Sequence, residues 1–164
     1  MKTTIFGVLF HLSLALPTQA LEIGDPLPPC VLEQLHNKQS ITLPPQSEQI
    51  MYVDFWASWC APCAKSFPFL NNLHQTYKDQ GLNIIAVNLD EIEEDAFEFL
   101  NRFPAHFTVA KDPEQQCAQQ LQVSAMPSSY LVDKQGIIRY IHLGFRESHK
   151  SDLEAQVTQL LSGI

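Results

Sequence analysis

Two cysteines separated by two residues, in Trp59-Cys60-Ala61-Pro62-Cys63, are the strongest chemical signal in the chain. Such a pair serves either as a redox dithiol or as half of a zinc site. Zinc needs a second ligand pair at short range. Cys30, Cys117 and six scattered histidines supply neither another C-x-x-C nor an H-x-x-x-H. A redox dithiol needs a thiolate, because only the thiolate attacks a disulfide sulfur. Cys60 stands where a buried strand gives way to a helix, and unpaired N–H groups and the helix dipole at that end favour its thiolate. Cys63, one turn on, is close enough to displace the resulting mixed disulfide. Pro62 limits backbone freedom between the sulfurs and adds no donor of its own. A plain structural disulfide would not require this helix-start setting.

The elements that must hold the pair follow from hydrophobic period and turn residues. Ile50–Trp56 is a nearly continuous apolar run, as expected of a central strand buried on both faces, and Asp54 is its one charge. From Ala61 to Tyr77, Phe67, Leu70, Leu73 and Tyr77 recur at helical steps, with Pro68 expected to kink the helix and Gly81 to end the segment. Leu82–Leu89 reads as a second buried strand. Asp90 with Glu93 reads as a capping box, and Glu91, Glu93, Glu94 and Asp95 suit the positive end of the helix that follows. Phe107–Ala110 is a short strand, and Asp112-Pro113 is expected to open a helix with proline at its first position. Ser128–Val132 and Ile137–Ile141 flank the turn Asp133-Lys134-Gln135-Gly136, before a final amphipathic helix over Ser148–Leu161. Ahead of these lie an extended, proline-bearing lead-in over Glu22–Pro29 and a hairpin of Val31–Leu35 with Ile41–Leu43. The alternation of strands and helices describes a three-layer α/β sandwich.

The 164 residues suffice for one domain, and a composition 45% hydrophobic and 17% charged excludes long disorder and fibrous repeats. Ten Lys+Arg against 18 Asp+Glu leave a formal charge of -8 with no basic run, which argues against nucleic acid and anionic membrane as partners. Residues 1–20 are expected to be a signal peptide. Lys2 supplies the positive start, Ile5–Leu16 the apolar run, Pro17 the break and Thr18-Gln19-Ala20 the small residues before cleavage. That run is shorter than the ~20 residues of a bilayer span, so no stable membrane insertion is expected after cleavage, and residues 21–164 form the mature domain. Export to an oxidising compartment favours disulfides. Cys30 and Cys117 would then form a second bridge tying the lead-in to the domain. The alternative is a Cys117 buried as a small hydrophobe and a separate free thiol at Cys30, and sequence supplies no distance to decide between them.

The stretch Val53-Asp54-Phe55-Trp56-Ala57-Ser58-Trp59-Cys60-Ala61-Pro62-Cys63 resembles the active-site segment of the thioredoxin family. Pro68 matches that family's kink proline, and Met126-Pro127 its cis-proline position. The N-terminal hairpin and the inserted strand–helix unit at residues 82–110 resemble the exported TlpA/ResA branch, over roughly residues 22–162. The resemblance implies a thioredoxin-like α/β fold with Cys60 as nucleophile, Cys63 as resolving thiol and Asp54 as proton acceptor beneath Cys63. A carboxylate withdrawn from water can take a proton near neutrality; the competing role is a hydrogen-bonded structural acid. The resemblance also implies that the backbone of Met126, beside a cis Pro127, pairs with a substrate segment as an added strand. Trp59, Ala61 and Pro62 would border the same site. Three positions depart from the pattern: Ser66 replaces a Glu and Asp54 an Asn found in many exported relatives, and Met126 replaces a more common small or β-branched residue.

What the resemblance implies for function is a periplasmic thiol–disulfide oxidoreductase that reduces disulfides in exported proteins. Ala-Pro between the cysteines resembles the Gly-Pro of reducing thioredoxins more than the Pro-His of a strong oxidant. The chain has no nucleotide fingerprint, so no cofactor is expected and a membrane electron-transfer protein is implied as electron donor. Cytochrome c maturation and copper-site assembly are the usual settings of such relatives. Two other readings use the residues differently. A Cu(I)-binding or delivery module would take Cys60 and Cys63 as soft ligands, against which the lack of a nearby His or Met motif counts. A peroxide reductase would need a Thr/Pro-flanked peroxidatic cysteine in place of W-C-x-x-C.

Overall fold

The computed structural model describes residues 21–45 and 48–163, so the expected signal peptide lies outside the described residues. The elements run β1 (Cys30–Gln34), β2 (Ser40–Leu43), β3 (Ile50–Trp56), α1 (Ala61–Tyr77), β4 (Leu82–Asn88), α2 (Glu93–Arg102), β5 (Thr108–Lys111), α3 (Gln116–Gln120), β6 (Ser128–Val132), β7 (Ile138–Leu143) and α4 (Lys150–Leu161). The strands form one seven-stranded sheet in the order β2-β1-β5-β4-β3-β6-β7. β3, β4 and β5 are parallel neighbours, whereas β6 pairs antiparallel with β3. Among the described residues no helix is long and apolar enough to cross a membrane.

The central position of β3 explains its composition: all of its residues are buried, so both alternating faces must be apolar. Ile50, Tyr52 and Trp56 join the layer built by α1, α2 and α4. Met51, Val53 and Phe55 face the opposite layer, with Cys117 of α3 and Leu27 of the lead-in. Trp56, Phe67 and Phe99 meet with ring centroids 4.7–5.0 Å apart, which fixes α1 and α2 against the end of β3. α1 continues through Pro68, whose side chain is exposed.

Two sequence expectations change. The residue at the start of α2 is Ile92, with no side-chain cap, rather than Asp90. The Asp90 carboxylate is engaged by Ser58 and Asn88 instead, and Glu93 reaches across to Lys111 and Lys38. No helix opens at Asp112-Pro113: Asp112 accepts from the backbone N–H of Ala118 at 2.8 Å, and this closes a turn ahead of the short α3. The extended lead-in is hydrogen-bonded to the domain. Gly24 N–H donates to Ile138 and Leu27 N–H to Gly136, both at 2.8 Å, which lays it along the β6–β7 turn.

Cys30 and Cys117 are joined by a disulfide with Cα atoms 5.4 Å apart, across 87 residues of sequence. It ties the first residue of β1 to α3 on the face away from α1. Chain-entropy reasoning for a loop of this length places the upper limit of its stabilisation at about 4.6 kcal/mol. Replacing both cysteines by alanine should therefore lower the free energy of unfolding by about 2–4 kcal/mol, measured by urea denaturation of oxidised protein. An unchanged midpoint and slope would show that the bridge contributes nothing.

Candidate active site around Cys60 and Cys63

Cys60 occupies the residue before the first turn of α1, and its sulfur accepts a hydrogen bond from the Cys63 N–H at 3.2 Å. Pro62 carries no N–H, so Cys63 offers the first helical donor aimed back at Cys60. The two sulfurs are disulfide-bonded. Cys60 retains 3% exposure and Cys63 none, while Trp59 beside them is 71% exposed. Ser66, at the position where the resemblance anticipates a glutamate, is buried and donates to the Cys63 carbonyl at 3.0 Å. That hydroxyl satisfies a backbone acceptor without adding a charge.

The loop before Cys60 is held by groups that sequence reasoning missed. Asp90 accepts from the Ser58 N–H at 2.9 Å and from the Ser58 hydroxyl at 2.9 Å, and the Asn88 side-chain amide donates to it at 2.7 Å. The end of β4 thus fixes the residue two places ahead of Cys60. The sequence signal was present, as two polar residues, Asn88 and Asp90, closing an apolar strand. It was absorbed by the capping-box reading.

Asp54 lies on the α1 side of β3, the face it shares with Tyr52 and Trp56, and is 1% exposed. Its register partner on β6 is Ser129, whose hydroxyl donates to Asp54 Oδ1 at 2.6 Å. Asp54 Oδ2 has no hydrogen-bond partner. Ser129 was also missed, although a Ser-Ser pair at the start of a fully buried strand is a polar anomaly that demands a partner. The Met126-Pro127 peptide bond is cis. Met126 packs against the core cluster that contains Cys60 and Cys63, and the Pro127 carbonyl accepts from Gly144 N–H at 2.7 Å. The structure therefore gathers Cys60, Cys63 and Met126 into one cluster, whereas Cys30 and Cys117 pack in the other.

A family model for Redoxin matches residues 22–157. The chain belongs to the Redoxin family. This Redoxin chain is 32% identical over 142 residues to the thiol-disulfide oxidoreductase ResA of Bacillus thuringiensis strain Al Hakam, covering 87% of this chain and 80% of the relative. It is 30% identical over 141 residues to ResA of Geobacillus kaustophilus, covering 86% and 79%. A crystal structure of a Chlorobium tepidum protein assigned to the thiol:disulfide interchange protein DsbE superposes with a TM-score of 0.81 at 40% identity, covering 87% of this chain and 99% of that one. The thioredoxin-like fold and the ResA-like kinship expected from the motif are thus borne out, and the chain is a redox enzyme of the thiol–disulfide oxidoreductase class.

Within this Redoxin domain folding strongly alters the protonation of Asp54. Burial pushes it up from 3.8 to about 7, with the Ser129 hydrogen bond opposing the shift. The unfolded chain ionises this carboxyl near its ordinary value of about 4. Between those limits the folded protein keeps a proton that the unfolded chain has lost. The stabilisation is complete below about pH 4 and is lost as pH rises through about 7. Asp54→Asn, which retains the oxygen acceptor for Ser129, should therefore remove this part of the pH slope and exceed the wild type in stability at pH 8. Ser129→Ala should carry the loss to higher pH. Urea denaturation of the three proteins from pH 4 to 9 measures both effects, and parallel profiles for the wild type and Asp54→Asn would contradict them.

Proposed function

We propose that the protein reduces disulfides in other exported proteins, with Cys60 attacking and Cys63 resolving. The observation that carries this reading is the placement of the Cys60 sulfur at the start of α1, under the Cys63 N–H, where a thiolate is stabilised. In the reduced enzyme the Cys60 thiolate would attack a substrate disulfide, forming a mixed disulfide and releasing one substrate thiolate, which takes a proton from water. Cys63 would lose its proton to Asp54, whose Oδ2 is unpaired, and attack the Cys60 sulfur. The second substrate thiolate leaves, the substrate has gained two electrons, and the enzyme holds the Cys60–Cys63 disulfide. A donor must then return two electrons, and a membrane electron-transfer protein fits a chain without a nucleotide fingerprint.

Support for an extracytoplasmic, specifically periplasmic, setting comes from the signal-peptide pattern of residues 1–20 and from the kinship with ResA and DsbE. Met126 would offer its backbone to an extended substrate segment, with Trp59, Ala61 and Pro62 along the border. Cytochrome c maturation and copper-site assembly proteins are the substrate settings that the resemblance suggests.

Equilibration in graded glutathione buffers, followed by alkylation and mass spectrometry, tests the direction of the reaction. A Cys60–Cys63 midpoint near or below about -220 mV is expected for a reductase. A midpoint near about -120 mV would make the protein an oxidant instead. Cys60→Ser should abolish disulfide reduction altogether.

A further inference from the structure

The turn between β7 and α4 stands against the dithiol and is held at several points. Gly144 takes a φ of 78°, a conformation that strains any side-chain-bearing residue, and its N–H donates to the Pro127 carbonyl at 2.7 Å. Phe145, nearly buried, lies against Phe69 of α1 with ring centroids 5.8 Å apart. The His149 N–H donates to the Arg146 carbonyl at 2.9 Å. Between this turn and α1 lies an open crevice of about 460 Å³, lined by Pro62, Leu143, Gly144, Phe145, Arg146 and His149. Pro62 is one of the two residues between Cys60 and Cys63, so the crevice begins next to that pair.

The chemistry of this crevice differs from that of the rest of the chain. The net charge is -8, yet no acidic residue lines it. Four of the other eight described cations are already paired: Lys38 and Lys111 with Glu33 and Glu93, Arg139 with Asp133, Lys150 with Glu147. Neither Arg146 nor the His149 ring has a hydrogen-bond or ion-pair partner among the described residues. Leu143 at the rim is 62% exposed, so the site joins an apolar edge to two free donors.

We propose that this crevice is a subsite for an acidic side chain of an extended, disulfide-bearing substrate segment, with Arg146 as its main recognition group and His149 as a second donor. The inference rests on the functional reading above and adds the class of substrate sequence to it. A guanidinium holds a carboxylate through two parallel hydrogen bonds, which orients as well as attracts. A cationic group beside the dithiol of an otherwise acidic protein would also select acidic segments that the rest of the surface repels.

The test uses full-chain protein, pre-reduced and mixed in single turnover with disulfide-bonded peptides that carry Glu or Lys at each of the positions flanking the attacked cysteine. The neutral disulfide bis(2-hydroxyethyl) disulfide is run with the wild type as a control on the exchange chemistry. At one position or more the wild type should react roughly three- to fivefold faster with Glu than with Lys, the size expected of a solvent-exposed ion pair. The ratio should fall to near one in Arg146→Gln, invert in Arg146→Glu, shrink in His149→Gln and weaken with added salt. Turnover of the neutral disulfide with no Glu preference, or a preference that survives Arg146→Glu, overturns the inference alone. No wild-type turnover of any disulfide overturns the functional reading and the inference together. If the crevice instead seats a second copy of the chain, the sedimentation coefficient will rise with concentration, Arg146→Glu will abolish that rise, and the peptides will show no preference.

Discussion

The junction between β3 and α1 is the constraint on which the rest of the molecule depends. A strand buried on both faces delivers the chain directly into a helix start, and Cys60 is the residue at that join. For the helix end to act on the sulfur, it must not move relative to the strand. The Trp56–Phe67–Phe99 contacts secure it from below, and the Asp90 carboxylate secures the Ser58 backbone from the side. The parallel arrangement of β3 and β4 brings both strand ends to the same edge, and so allows Asp90 to reach Ser58. The aromatic contacts resist separation through the apolar surface they bury, whereas the carboxylate bonds are directional and set the angle of the loop.

The same strand carries the opposing requirement. A carboxyl buried beneath the helix weakens the fold whenever it is ionised, and an apolar residue at position 54 would avoid that penalty. Asp54 has one oxygen held by Ser129 and the other left open. The hydroxyl limits the penalty without removing it, so the group stays poised near neutrality, where a proton can be accepted and returned. Stability is sacrificed at position 54, the position where the proposed mechanism needs proton transfer, a pattern common to sites whose chemistry requires a shifted acid. Ser66 meets the Cys63 carbonyl with a hydroxyl and so adds no further buried charge there.

The second disulfide acts at a distance from this site. It joins β1 to α3 in the layer opposite α1. The two cysteine pairs thus sit on opposite sides of the central sheet. Under the proposed function, this separation would let the Cys60–Cys63 pair cycle between oxidised and reduced states while the Cys30–Cys117 pair holds the scaffold.

The redox motif, the central strand, the helix that follows and the cis-proline position were all legible from local pattern, because period, turn residues and cysteine spacing are properties of neighbouring residues. Element boundaries were legible to within a residue or two in the sheet. What local pattern misassigned were residues whose partners are remote. Asp90 looked like a helix cap because Glu93 follows it, but its partner is Ser58, brought near only when β3 and β4 pair in parallel. Asp112-Pro113 looked like a helix start, but the carboxylate instead closes a turn onto Ala118. Ser129 looked like an ordinary strand residue until the antiparallel register set it opposite Asp54. The pairing of Cys30 with Cys117 likewise depended on a spatial distance that sequence does not contain. The sequence by itself determined the chemistry and its fold class; the tertiary structure decided which polar groups hold that chemistry in place, because hydrogen bonds and disulfides answer to distance in space rather than to separation along the chain.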